Sequence, residues 1–207
     1  MWINRHTVRI PVESRLSFRQ GRIYYDLLAA YRPDPSIPPL SARDIALHMA
    51  TCYYRDLPGF CAGLFEAAEK PSGYALRPRG IKRFDLLRVF TPIAKGDDAR
   101  GVVSFPIAGG LLALPRQDSG RFIFEACVCP EGNTLLVRVA RFSPLIAGDG
   151  SHPWRVLLYR STQSLFHRII IAGFLRAMVR ELSSARRPVR VPIACRWVEE
   201  GPGPTST

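Results

Sequence analysis

The chain has 207 residues, 47% hydrophobic and 22% charged, a globular composition that excludes disordered, collagen-like and low-complexity classes. A chain of this length buries about 70% of the surface its unfolded form exposes, which suits one domain, read here as residues 1–198, and leaves two cramped. The formal charge of +12, from 29 Lys+Arg against 17 Asp+Glu, favours anionic partners such as nucleic acid, acidic lipid or phosphorylated ligands. All but three of those cations are arginines scattered along the chain, a pattern that fits compositional bias as well as it fits a binding face, so nucleic acid is a possible partner but not the favoured one.

The opening Met1 to His6 does not lead into the apolar core of a signal peptide. His6 to Val12 alternates polar and β-branched residues and reads as a short strand. Phe18 to Tyr31 reads as a helix carrying Ile23, Leu27 and Ala30 on one side. Arg32 to Leu40 holds four prolines in nine residues, which excludes regular structure and marks an extended connection. Ser41 and Asp44 supply an N-cap hydroxyl and a first-turn acid, opening a helix whose Ile45, His48, Met49 and Cys52 share a face. Pro58-Gly59 ends it, and Phe60 to Lys70 reads as a second short helix. A DNA-reading pair would want a polar or basic second helix, whereas FCAGLFEAAEK is apolar and mildly acidic.

Four β-like runs follow, Phe84–Ile93, Val102–Leu114, Arg121–Cys129 and Thr134–Phe142. The gaps between them are too short for parallel crossovers, which implies antiparallel neighbours. Gly109-Gly110 lacks the lysine and helix N-terminus of a phosphate loop and reads as a break or bulge. Trp154 to about Ser184 is the longest helical stretch, with Leu158, Leu165, Ala172, Leu175, Val179 and Leu182 as its apolar stripe. Val189 to Val198 reads as an edge strand, and 199–207 as a flexible tail. The longest apolar run, Ile169 to Leu175, is seven residues, far short of the roughly 20 needed to span a bilayer. Five cysteines, an odd number with no CxxC spacing, argue against a disulfide framework and a zinc site. The expectation is a cytoplasmic protein without metal or cofactor.

On alternation, Phe122, Phe124, Ala126 and Val128 share one strand face, and Leu135, Val137, Val139 and Arg141 share another. An inward Arg141 would be partnered or waiting for an acidic ligand, unless strand twist carries it to solvent. Arg88, grouped with Phe84, Leu86 and Phe90, invites the same argument. Tyr159, Gln163 and His167 succeed one another at four-residue steps on the long helix and form the best polar cluster. His167 could orient a ligand or act as acid or base, or be a boundary histidine satisfied by a carbonyl. Cys127 and Cys129 point to one face but have no partner for a soft metal. No catalytic-triad order, HExxH or Walker loop appears.

Strand, helix pair, antiparallel run and long C-terminal helix follow the order of the helix-grip fold of START, Bet v-like and polyketide-cyclase-like proteins, the SRPBCC superfamily. GRFIFEACVCPEGNTLLVRVARFSP and YRSTQSLFHRIIIAGFLRAM resemble a branch sometimes fused to short-chain-dehydrogenase-like proteins. In that branch an aromatic-x-Pro step, here Phe142-Ser143-Pro144, leads into a helix bearing a histidine, here His167. The resemblance implies an α+β fold in which a curved antiparallel sheet wraps the long C-terminal helix. It also implies a cavity for a small apolar or amphipathic ligand between them, contacted by Arg88, Phe122, Phe124, Arg141, Tyr159, Gln163 and His167. Ligand binding is the leading expectation. The alternatives are a cyclase, dehydratase or hydrolase using His167, and an arginine-driven module for nucleic acid or an acidic membrane surface.

Overall fold

The computed structural model describes residues 12–19, 22–33, 35, 38–113, 120–147, 152–183 and 196–197. The expected first strand, apart from Val12, and the 199–207 tail lie outside these residues. The fold is α+β, with one large, curled and unclosed sheet. β1 (Glu13–Arg19) and β2 (Arg22–Tyr31) form a hairpin where a helix was expected. Ile23, Leu27 and Ala30 fit a helical face, but burial in β2 alternates strictly, with Ile23, Tyr25, Leu27, Ala29 and Tyr31 inside. Period two therefore prevails over the helical reading.

Helix α1 (Ala42–Phe60) begins where expected, with Ser41 Oγ accepting from the Asp44 amide at 3.0 Å. Two further orphan amides are satisfied across the fold: Ala42 N donates to Asp98 O at 2.9 Å and Arg43 N to Asp97 O at 3.2 Å. Those carbonyls belong to the turn between β6 (Ile93–Gly96) and β7 (Arg100–Gly109). Gly101 permits the approach, because a Cβ there would come within 2.2 Å of Ala42 O. The helix runs through Pro58 and ends at the left-handed residues Ala62 and Gly63, at φ 52° and 74°. No second helix follows. FEAAEK is β3 (Phe65–Lys70), paired antiparallel with β4 (Gly73–Pro78) through the Pro71-Ser72 turn. Its helix-forming side chains yield to cross-strand pairing.

The next expected run divides at Thr91-Pro92 into β5 (Leu87–Phe90) and β6. β7, β8 (Arg121–Cys127) and β9 (Asn133–Phe142) follow as antiparallel neighbours. The sheet order is β1-β2-β9-β8-β7-β5-β4-β3, with β6 also on β7, and β10 (Arg196–Trp197) parallel to β6. Register slips between β2 and β9 at Ile23/Tyr25, and between β5 and β7 at Arg88/Val89. Such bulges add local twist and help the sheet curl.

The long C-terminal helix is α2 (Pro153–Tyr159), a π-helical turn (Arg160–Ser164) and α3 (Leu165–Ser183). Ser161 and Thr162 hydroxyls donate to the carbonyls of Leu157, at 3.0 Å, and Leu158, at 2.6 Å, at this widened turn. The π turn departs from the 3.6-residue period, so the expected stripe splits: Leu158 and Leu165 are exposed, whereas Ala172, Leu175, Val179 and Leu182 are buried. α1 packs on β6, β7 and β8 and touches β3, while α3 packs on β2 and along α1. The two helices thus share the inner face of the sheet.

Candidate functional site

Tyr53 of α1 is the hub of the layer between helices and sheet. Its ring centroid lies 5.1 Å from Phe122, 5.3 Å from Phe124, 5.2 Å from Phe174 of α3 and 5.4 Å from Tyr54. Tyr54 stacks on Tyr74 at 4.6 Å and meets Phe105 at 4.9 Å. Such pairs add about 0.5–1.5 kcal/mol each beyond area burial. They also fill most of the space that the sequence reading left for a ligand.

What remains is an apolar cavity of about 40 Å³, lined by Tyr53, Tyr54, Leu57, Leu76, Leu87, Val89, Ile107, Phe122, Val139, Phe142 and His167. At roughly 10–15 Å³ per water it has room for about three or four, well below the ~300 Å³ where drug-sized sites begin. Its lining residues with polar atoms are Tyr53, Tyr54 and the half-buried His167. Desolvation pushes that imidazole's pKa down to about 4, so the ring is neutral at pH 7, offering one donor and one acceptor nitrogen. No hydrogen-bond partner for it is present among the described residues.

Two of the expected contact residues, Phe122 and His167, meet at this cavity. Phe124 is fully buried in the aromatic cluster beside it. Tyr159 and Gln163 are buried at the π turn, where both Gln163 amide atoms, and the Tyr25 hydroxyl on β2, lack partners among the described residues. Burial raises the Tyr25 pKa to about 12 and raises that of Tyr159 as well. Arg141 does not point inward. Ala140 and Arg141 together oppose Tyr24, and this bulge sets Arg141 at φ 57° with an exposed side chain, so that Phe142 takes the inner position. Arg88 is likewise outside. Leu87 and Val89 line the cavity, and the alternating Arg88 borders a surface groove with Phe84, Gly109 and Gly110. The residues missed by sequence reasoning, notably Tyr54, Leu57 and Ile107, are ordinary core types that only the packing of α1 brings together.

A second cluster joins α1 to α3. His48 Nε2 lies 3.2 Å from Glu181 Oε1, and Cys52 Sγ lies 3.5 Å from Nε2 and 3.7 Å from Nδ1. The sulfur thus lies within contact of both ring nitrogens. Arg55 Nη2 donates to the same sulfur at 3.3 Å, and the thiol is pushed up to about 11, chiefly by burial. The three donor atoms lie within 4.8 Å of one another. A soft divalent ion would require Arg55 to withdraw from the sulfur, whereas the His48–Glu181 contact already links the two helices. A wider hollow of about 290 Å³ opens at the other end of the helix layer, among Tyr31, Pro33, Pro38, Ile45, Asn133 and Leu182.

No family model and no curated protein matches the chain. Among solved structures it is similar to the crystal structure of CalU16 from Micromonospora echinospora. The two share 10% identity over 84% of this chain and 94% of that one, with a TM-score of 0.32. A likeness this distant names neither ligand nor reaction. No helix among the described residues is long and apolar enough to cross a membrane.

Proposed function

We propose that the chain binds a small apolar molecule, bearing one hydrogen-bonding atom, in the cavity between sheet and helices. The observation that carries this reading is His167: a half-buried imidazole on the wall of a mostly apolar cavity, with no hydrogen-bond partner among the described residues. A ligand atom that bonds this ring would satisfy it in a setting that burial makes unfavourable for its charged form. Phe122 and His167 are the proposed contacts, and a larger ligand would have to displace the Tyr54 and Leu57 side chains. The acid/base alternative draws less support, since a base with a pKa near 4 is poorly matched to chemistry at neutral pH.

Methyl NMR under xenon pressure tests the site, because xenon enters small dry apolar cavities. Shifts are expected at the Leu57, Val89, Ile107 and Val139 methyls and weaken in Val139→Ile, which adds one methylene to the wall. Shifts confined to Ile45 and Leu182 would relocate the site to the proline-lined hollow. Native mass spectrometry of the purified chain then identifies any co-purified occupant, whose loss in His167→Leu assigns the hydrogen bond.

A further inference from the structure

The outer face of the C-terminal helix carries a feature that ligand binding does not use. Trp154, Leu157, Leu158, Leu165 and Ile169 are each between 43 and 67% exposed. Single exposed apolar residues are normal, but five on one helix in four successive turns form a patch, and patches mark interaction surfaces. The patch is not a misplaced core face: the inner face of the same helix is separately occupied by Tyr159, Ile170, Phe174 and Met178, all buried.

Charge identifies the partner. From Pro153 to Arg180 the sequence contains five arginines and no Asp or Glu. Arg155 is turned back onto the carbonyls of Leu145, at 2.9 Å, and Ile146, at 3.0 Å. Arg160, Arg168, Arg176 and Arg180 are exposed around and beyond the apolar row. We infer that this face docks on an anionic lipid surface, with Trp154, Leu157 and Ile169 entering the boundary of headgroups and acyl chains while the arginines meet lipid phosphates. The combination of an exposed apolar row with arginines beside it on the same helix is what interfacial helices present. Nucleic acid would account for the arginines but leave the leucines in water. Two copies of a +12 chain pairing through this face would bring like charges together.

The test uses the full chain in vesicle flotation, with phosphatidylcholine vesicles and with mixed phosphatidylcholine–phosphatidylglycerol vesicles. Binding is expected only to the second, with a blue shift of tryptophan emission that is lost in Trp154→Phe. Leu157→Ser should weaken partitioning roughly tenfold or more, given the size of one buried leucine. Arg160→Gln/Arg168→Gln should weaken it and flatten its dependence on salt. Both variants alter exposed side chains, so unchanged thermal unfolding separates loss of binding from loss of fold. Binding that ignores lipid charge, no binding to phosphatidylglycerol, or a dimer in native mass spectrometry that Leu157→Ser dissociates would each overturn the inference.

Discussion

At the scale of single residues, His167 couples the cavity to pH. The unfolded chain takes up a proton on this ring near pH 6.5, while the folded chain refuses it until about 4. Below pH 6.5 the unfolded state therefore binds more protons, and stability falls as pH drops through that window, by on the order of 3 kcal/mol in all. Urea midpoints measured between pH 7 and 4.5 should fall more steeply for the native chain than for His167→Leu; parallel curves would show that the ring titrates normally. Arg141 makes a different point. Its left-handed backbone, at φ 57°, is what strict alternation could not foresee, because one extra residue in a strand reverses every later face. Arg141→Gly should hold stability within about 1 kcal/mol, whereas Arg141→Val, with a β-branched residue at positive φ, should lose about 1–2 kcal/mol. Equal losses in chemical denaturation would mean that the arginine side chain, and not the bulge, governs the position.

At the scale of elements, legibility followed how local the determining signal is. The start of α1 could be read from Ser41 and Asp44 because a cap is written within four residues, and β8 and β9 could be read from their alternation. The β1–β2 hairpin and β3 could not. Phe18–Tyr31 carries both periods at once, and FEAAEK takes its conformation from β4 and not from its own propensities. The candidate site divides the same way: Phe122 and His167 follow from periodicity, but the α1 side of the cavity depends on where that helix docks. At the N-terminal end of α1 the backbone of Ala42 lies directly against Gly101. Gly101→Ala should cost about 1–3 kcal/mol by overpacking, and should increase amide exchange in the first turn of α1 more than at its C-terminal end. Uniform exchange changes along the helix would argue that the contact has no anchoring role.

For the molecule as a whole, Tyr53 connects three layers of structure, touching Phe122 and Phe124 of the sheet and Phe174 of α3. Tyr53→Ala removes a buried ring and should cost about 3–5 kcal/mol. If both helices and the sheet form one cooperative unit, far-ultraviolet and aromatic signals will still melt together in that variant. Separate transitions would show that α3 and α1 are held to the sheet independently.

The π turn at Arg160–Ser164 has a consequence for how this chain tolerates changes in length. A π turn closes i→i+5 hydrogen bonds and so holds about one residue more than an α turn. Excising one residue here would let the segment close as ordinary α-helix and leave the seven residues before it facing as they do now, with Tyr159 enclosed and the tryptophan in line with Ile169. The same deletion placed within Leu165–Ser183 would instead turn one part of the helix against the other by about 100°.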